Sequence, residues 1–251
     1  MPTSKSFSEC TNAEIVQLAQ ALQDGTITVN DLNWKVGDTR SVSLNSFTSY
    51  PSGSASTQAA QTAQLVILHK QSSGVCAGKQ FTDNSVPSFI IGFKENVAKS
   101  YYHSSNNTYN SSLLKTVEDN IYNALPSDLK PAFKQFKAIT AANNSATTAS
   151  TFNRYMCSPA ARELFGGSSA SSAGEGTSYS VLCEYNALGS NAQFDYYKTT
   201  NNRKHSNLST YWWERSPRYS GSDSACRVDS DGTAGDISVD YGYGVCPFGC
   251  I

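Results

Sequence analysis

The side chains in this 251-residue chain that could carry chemistry are three histidines, seven cysteines and a run of aspartates near the C-terminal end. His69, His103 and His205 lie far apart, with no H-x-x-x-H for zinc and no G-x-S-x-G for a Ser-His-Asp triad. Cys246 and Cys250 are spaced like a redox pair. A working thiolate needs a cation or a helix N-terminus to lower its pKa, and Pro247-Phe248-Gly249 between them supplies neither. The cysteine count is odd and lacks C-x-x-C pairs, so Cys10, Cys76, Cys157, Cys183, Cys226, Cys246 and Cys250 are expected to be mostly free, buried thiols. Asp229, Asp231, Asp236 and Asp240 open like an EF-hand loop, but Asp240 occupies the place of the bidentate Glu, and a tight hairpin turn is the preferred reading. No catalytic residue, metal site or cofactor is expected. Paired carboxylates for glycoside hydrolysis need not be neighbours in sequence, so a glycan-hydrolysing enzyme stays as a lesser alternative.

The elements that position these residues are mostly strands. Thr11-Asn12-Ala13-Glu14 fits a capping box, and Ile15, Leu18, Ala19 and Leu22 follow at helical spacing before Asp24-Gly25. Thr26 to Val29 reads as β-type, and Trp34 to Leu44 as strand, turn at Gly37-Asp38, strand. Pro51 to Thr62 reads as a loop, whereas Gln64 to His69 and Ser88 to Phe93 are short apolar runs typical of central strands. After a polar loop at 99–112, Leu113, Leu114, Val117, Ile121 and Leu125 predict a helix, and Leu129, Phe133, Phe136 and Ile139 predict a second one beyond Pro126. Residues 143–151 read as a polar loop, Ala160 to Phe165 as a short helix, and Gly167 to Gly176 as a mobile Ser/Gly linker. Asp231-Gly232 marks a hairpin, and the apolar close of the chain predicts a core strand.

Composition narrows the partners. Hydrophobic residues make up 39% and charged residues only 16%, well under the roughly 25% charge of an average chain. The surface must be polar but nearly uncharged, a balance that suits contact surfaces built from Tyr, Ser, Asn and Gly. Net charge is -1 with no basic run beyond Arg203-Lys204-His205, which argues against nucleic acid. The N-terminal residues lack an apolar stretch, and Leu65 to Leu68 and Phe89 to Ile91 are too short to cross a bilayer, so synthesis in the cytosol without a signal peptide or membrane insertion is expected.

Five short motifs occur in order: Trp34-Lys35-Val36-Gly37-Asp38, Gln64-Leu65-Val66-Ile67-Leu68, Asn123-Ala124-Leu125-Pro126, Trp213-Glu214-Arg215-Ser216-Pro217 and Gly244-Val245-Cys246-Pro247. Together they resemble a domain family of unknown function that is common in bacteriophages and in Firmicutes, over about nine-tenths of the chain. Glu214 stands where that family often has Leu, and Cys246 where it often has Arg. The C-terminal half also resembles the C-type-lectin-like fold of phage receptor-binding proteins and formylglycine-generating enzymes, a likeness of fold only. The resemblance implies an α+β, strand-rich architecture with a few helices. Residues 1–30 form an N-terminal arm and helix, and residues 31–251 one globular domain with a lectin-like region over about 150–251.

By that likeness Trp34, Asp38, Trp213, Arg215, Pro217, Gly244 and Pro247 are structural, with Arg215 pairing a carboxylate or carbonyls. Adjacent strand residues point to opposite faces, so with Trp213 in the core, Trp212 is expected at the surface. Trp212, Tyr219, Asp223, Tyr241 and Tyr243 are the candidate ligand contacts, in a presented region at about 218–244. That region lacks Lys, Glu, Gln, Met and Trp. Adenine-directed mutagenesis of codons of the form A-A-pyrimidine would leave such a set, although a plain series of Ser/Gly/Asp hairpin loops is the preferred account. The resemblance implies a virion structural protein, capsid-decorating or fibre-associated, partnered by other virion proteins or by its own copies. The alternative is a host-surface adhesin that binds glycan or protein.

Overall fold

The computed structural model describes residues 3–71, 80–81, 88–166, 181–189 and 192–251. Cys76 and the Gly167 to Gly176 linker lie outside them. Helix α1 (Asn12–Gln23) starts as the spacing predicts: the Thr11 hydroxyl accepts from the Glu14 amide while the Glu14 carboxylate accepts from the Thr11 amide. Its buried stripe Ile15, Leu18, Ala19 and Leu22 joins an apolar cluster that runs without a break from Phe7 to Ile251.

Fourteen strands follow among the described residues: β1 (Thr39–Leu44), β2 (Phe47–Ser49), β3 (Ser56–Gln58), β4 (Gln61–Gln71), β5 (Gln80–Phe81), β6 (Ser88–Phe93), β7 (Ala98–Ser100), β8 (Phe136–Ala141), β9 (Ala149–Arg154), β10 (Trp212–Pro217), β11 (Ser224–Val228), β12 (Ala234–Ser238), β13 (Tyr243–Val245) and β14 (Phe248–Cys250). Three further helices are α2 (Leu113–Ala124), α3 (Ala161–Phe165) and α4 (Leu182–Leu188). One sheet has the order β1-β4-β6-β14 and a second β12-β11-β10-β13-β7. A two-stranded sheet β2-β3 and a three-stranded sheet β5-β8-β9 complete an α+β, strand-rich chain. Trp34 is packed between Phe7 and Phe89, with ring centroids 5.0 and 5.1 Å away. Asp38 closes the turn before β1 by accepting from the Lys35 amide at 2.8 Å.

Several expectations are corrected. The apolar spacing at Phe133, Phe136 and Ile139 belongs to strand β8, after a single 3-10 turn at Lys130–Ala132. Pro131 cannot donate to a helix ladder, and β8 pairs over its whole length with β9, which begins inside the expected 143–151 loop. Thr26 to Val29 leads into a 3-10 turn (Val29–Asp31), and the expected loops at 51–62 and 99–112 contain β3 and the end of β7. Trp212 is fully buried. Strand β10 has β11 on one side and β13 on the other, and each of its sheet faces is covered, so the alternation that sends Trp212 away from Trp213 sends it to a second interior.

The decisive irregularity is also in β10. Trp213 pairs with Arg227 and Pro217 with Ala225, so Glu214, Arg215 and Ser216 stand against Cys226 alone. A bulge of this kind turns side chains out of the ordinary alternation, and all three enter the interior. The Arg215 guanidinium, with no exposed surface, forms a forked pair with Glu163 at 2.6 and 2.7 Å. Its remaining donors reach the carbonyls of Ile139 (3.1 and 2.8 Å) and Ser158 (2.9 Å). Its own amide donates to Pro159 O at 3.0 Å, and its carbonyl accepts from the Tyr102 hydroxyl at 2.8 Å. Next along, the Ser216 hydroxyl donates to Glu184 and accepts from the Ala161 amide. Glu184 also accepts from Thr140 Oγ1 (2.5 Å) and the Ala141 amide (2.9 Å). One bulge therefore ties β10 to α3, α4 and β8.

Breaking a buried pair by removing one partner costs about 3–5 kcal/mol, because the other charge stays buried and alone. Arg215→Met is expected to lose that much in urea unfolding, or to give no folded protein. The double variant Arg215→Met/Glu163→Leu should recover most of it. Loss of under about 1 kcal/mol in the single variant would contradict the role given to this pair.

Candidate ligand-binding surface

On the face of the five-stranded sheet that Trp213 occupies, register places Arg227 directly opposite it and β13 alongside. The Trp213 ring lies 5.2 Å from Tyr243 and 5.7 Å from Tyr102, and above it the aromatics continue outward. Tyr243 is 5.3 Å from Tyr211 and 5.8 Å from Tyr241, the latter stacked at 23°. Tyr241 is half exposed, and Tyr211 and Tyr243 are partly so. The Arg227 guanidinium sits 4.6 Å from the Tyr211 ring centroid and 5.2 Å from that of Tyr243, and donates to the Tyr243 hydroxyl at 2.8 Å. Burial pushes the Tyr243 phenol up and Arg227 pulls it back.

Arg227 is itself aimed. Its Nε donates to Asp229 at 2.7 Å, and the strand opposite leaves room for that carboxylate only because residue 235 is glycine: a Cβ there would stand 2.5 Å from Asp229 Oδ1. The group is thus a row of three tyrosines, two of them in contact with one cation, on a base of buried Trp213. Such rings offer π faces and hydroxyls with little conformational entropy to lose.

Of the five candidate ligand contacts, the structure brings Tyr241 and Tyr243 together. Tyr219 and Asp223 are exposed but lie in the loop 218–223, beyond the Pro217–Ala225 end of the β10-β11 pair. Asn107 pins that loop through Nδ2 bonds to Gly221 O (2.7 Å) and Ser224 O (2.9 Å). Trp212 belongs to the opposite face, where its indole donates to Arg203 O at 2.9 Å and stacks on His205 at 4.6 Å. Arg227 was missed; its signal is a lone cation in β11 two residues before an aspartate. The four aspartates of the EF-hand-like stretch each have a protein partner: Asp229 takes Arg227, Asp231 the Thr233 amide and hydroxyl, Asp236 Arg218, and Asp240 Ser238. Arg215 has the carboxylate and carbonyl partners expected of it, and Pro217, Gly244 and Pro247 are buried.

The profile of a domain of unknown function, DUF6273, matches residues 88–251, well over half of the chain. The chain belongs to the DUF6273 family. The DUF6273 span holds β6, β14 and all of the five-stranded sheet, so the whole tyrosine group lies within it. Of the five motifs, those at Trp34 and Gln64 precede the matched residues; the first leads into β1 and the second lies within β4 of the other sheet. No curated protein matches the chain, and no solved structure matches it. Among the described residues no helix is long and apolar enough to cross a membrane.

Two buried groups, Glu214 in β10 and His205 on the opposite face, make the stability of the fold depend on pH. The Glu214 carboxyl has no exposed surface and neither oxygen is hydrogen-bonded among the described residues. Burial, reinforced by Glu184 and Asp229 and opposed by Arg203 and Arg215, holds its pKa well above the usual carboxylate range. The folded chain keeps this proton where the unfolded chain releases it, so Glu214 costs stability increasingly as pH rises from the ordinary carboxylate value of 4.5. His205 acts in the opposite sense: burial lowers its pKa from 6.5 to about 3, so its neutral form is favoured above 6.5 and stability is lost as pH falls from there toward 3. Glu214→Leu, the residue common in the resembling family, is expected to raise the urea midpoint at pH 8 and to flatten its fall between pH 5 and 8. An unchanged midpoint and slope would contradict a protonated, unpartnered Glu214.

Proposed function

We propose that this chain is a bacteriophage virion protein that binds rather than catalyses, a host-surface adhesin whose contact surface is the Tyr211-Tyr241-Tyr243-Arg227 group. The observation that carries this reading is the row of three partly exposed tyrosines, two of them in contact with a pre-oriented arginine, on a strand base. Tyr and Arg are the residue types that dominate binding energy at interfaces. Here their rotamers are held before any ligand arrives, which lowers the entropic cost of association. The buried carboxylates Glu118, Glu163 and Glu184 are engaged by interior partners and do not line this surface. A capsid-decorating or fibre-associated role shares the virion location and differs in the occupant, which would then be a neighbouring virion protein or another copy of the chain.

Binding of the purified protein to bacterial host cells, followed by flow cytometry, tests the reading. Tyr241→Ala and Arg227→Ala are each expected to weaken binding about tenfold, in line with losses of about 1–2 kcal/mol at interface anchors. Tyr155→Ala removes an exposed tyrosine that stacks on Tyr122 at 4.6 Å, away from the group, and is expected to bind normally. Equal binding by all three variants, or loss only in Tyr155→Ala, would overturn the assignment of this surface.

A further inference from the structure

A recess of about 180 Å³ opens between β4, the segment after β6 and the loop 206–211. Gln61, Gln64, Lys94, Glu95, Asn96 and Asn207 line it. Asn96 is fully buried and built in: it donates to Ser209 O at 2.7 Å, and its Oδ1 lies 2.9 Å from His205 Nδ1. Behind His205 stands Trp212. Gly244 is required at this place, since a Cβ there would lie 2.3 Å from the Asn96 amide. Gly244, which the motifs mark as structural, therefore shapes the recess as well as the sheet.

The lip of the recess is strained. Leu208 has φ +62, a left-handed conformation that bulky residues rarely adopt and that persists only where surroundings over-determine it. Here they do: Glu95 accepts from the Ser206 and Asn207 amides at 2.8 and 3.2 Å, and Asn207 Nδ2 donates to Asn96 O at 3.0 Å. The outcome is an exposed leucine, 40% accessible, next in sequence to Asn207 of the recess lining. Asn207 and Tyr211 of the tyrosine group are four positions apart, so their Cα atoms lie within roughly 14 Å whatever the path of the loop.

We infer that the recess and the tyrosine group are two subsites of one site for an uncharged oligosaccharide, with a sugar seated among the amides and the chain continuing across the rings. The inference rests on the reading of the tyrosine group as a ligand surface and goes further by naming what it takes. Side-chain amides both donate and accept, as sugar hydroxyls do, and one cation beside one anion leaves the recess without net charge. Tyrosine faces complement the C–H faces of sugar rings, and their hydroxyls the polar edges. A protein partner needs no second polar recess at this distance.

A glycan array of bacterial surface oligosaccharides finds the best-bound structure, and calorimetry with its fragments of one to six sugars then tests the inference. Affinity is expected to climb with fragment length and then level off. Gln64→Ala and Lys94→Ala, both at exposed positions, should each lower affinity for the longest fragment at least fivefold and reduce the gain with length. Tyr241→Ala should weaken fragments of every length. If glycans bind and depend on Tyr241 but are indifferent to Gln64 and Lys94, the two-subsite inference fails and the tyrosine surface stands. If no glycan binds and Tyr241 governs attachment to a protein of the cell surface, the glycan class fails while the surface again stands. If binding ignores Tyr241 altogether, both fall.

Discussion

Everything on the proposed binding face is referred back to the bulge in β10 and to the guanidinium it turns inward. A buried arginine without partners would be ruinous, and the cost of desolvating it is offset only by good geometry at every donor. Arg215 meets that condition with a forked carboxylate and two backbone carbonyls, which come from α3, β8 and the segment between them. These elements have no ladder in common with β10. Their positions relative to the five-stranded sheet are tied through the Arg215 side chain and amide and through the contacts of Ser216 with Glu184 and Ala161.

A strand fixed so firmly from one direction can serve as a foundation in the other. Trp213, one turn of the pleat before the bulge, supports Tyr243, while the register of β10 with β11 brings Arg227 over the same face. On the reverse face Trp212 supports His205 and, through it, Asn96. The paired tryptophans thus underlie two different surface features from two sides of one strand. Glu214, between them and the arginine, is the residue that spoils the pattern: a carboxyl where an apolar side chain would fit, tolerated because it keeps its proton.

What could be read from the sequence was what local chemistry decides. The Thr11 capping box, the apolar runs of β4 and β6, the Asp231-Gly232 turn and the closing core strand all depend on residues within a few positions of one another. Phe136 and Ile139 show the limit. Their spacing satisfies a helix, yet the ladder with β9, formed by residues some ten positions on, outweighs it. Trp212 fails for a related reason: alternation fixes which way a side chain points, but whether that side is solvent depends on what else the chain folds against it. Tyr241 and Tyr243 were legible as candidates because exposed aromatics in a turn-rich stretch are few. Arg227 and Tyr211 become members of the group only through strand register, and the recess through the meeting of segments more than a hundred residues apart.

The central claim is that the chain meets its ligand at the Trp213-backed tyrosine face. Hydrogen exchange followed by mass spectrometry, on the protein alone and saturated with purified surface polysaccharide of the proposed bacterial host, tests it most directly. Slowed exchange is expected in 205–213, 225–230 and 239–245, and at 61–64 and 94–97 where the ligand also fills the recess. Slowing centred instead on α2 and β9, around the stacked Tyr122 and Tyr155, with the first three segments unchanged, would contradict the account.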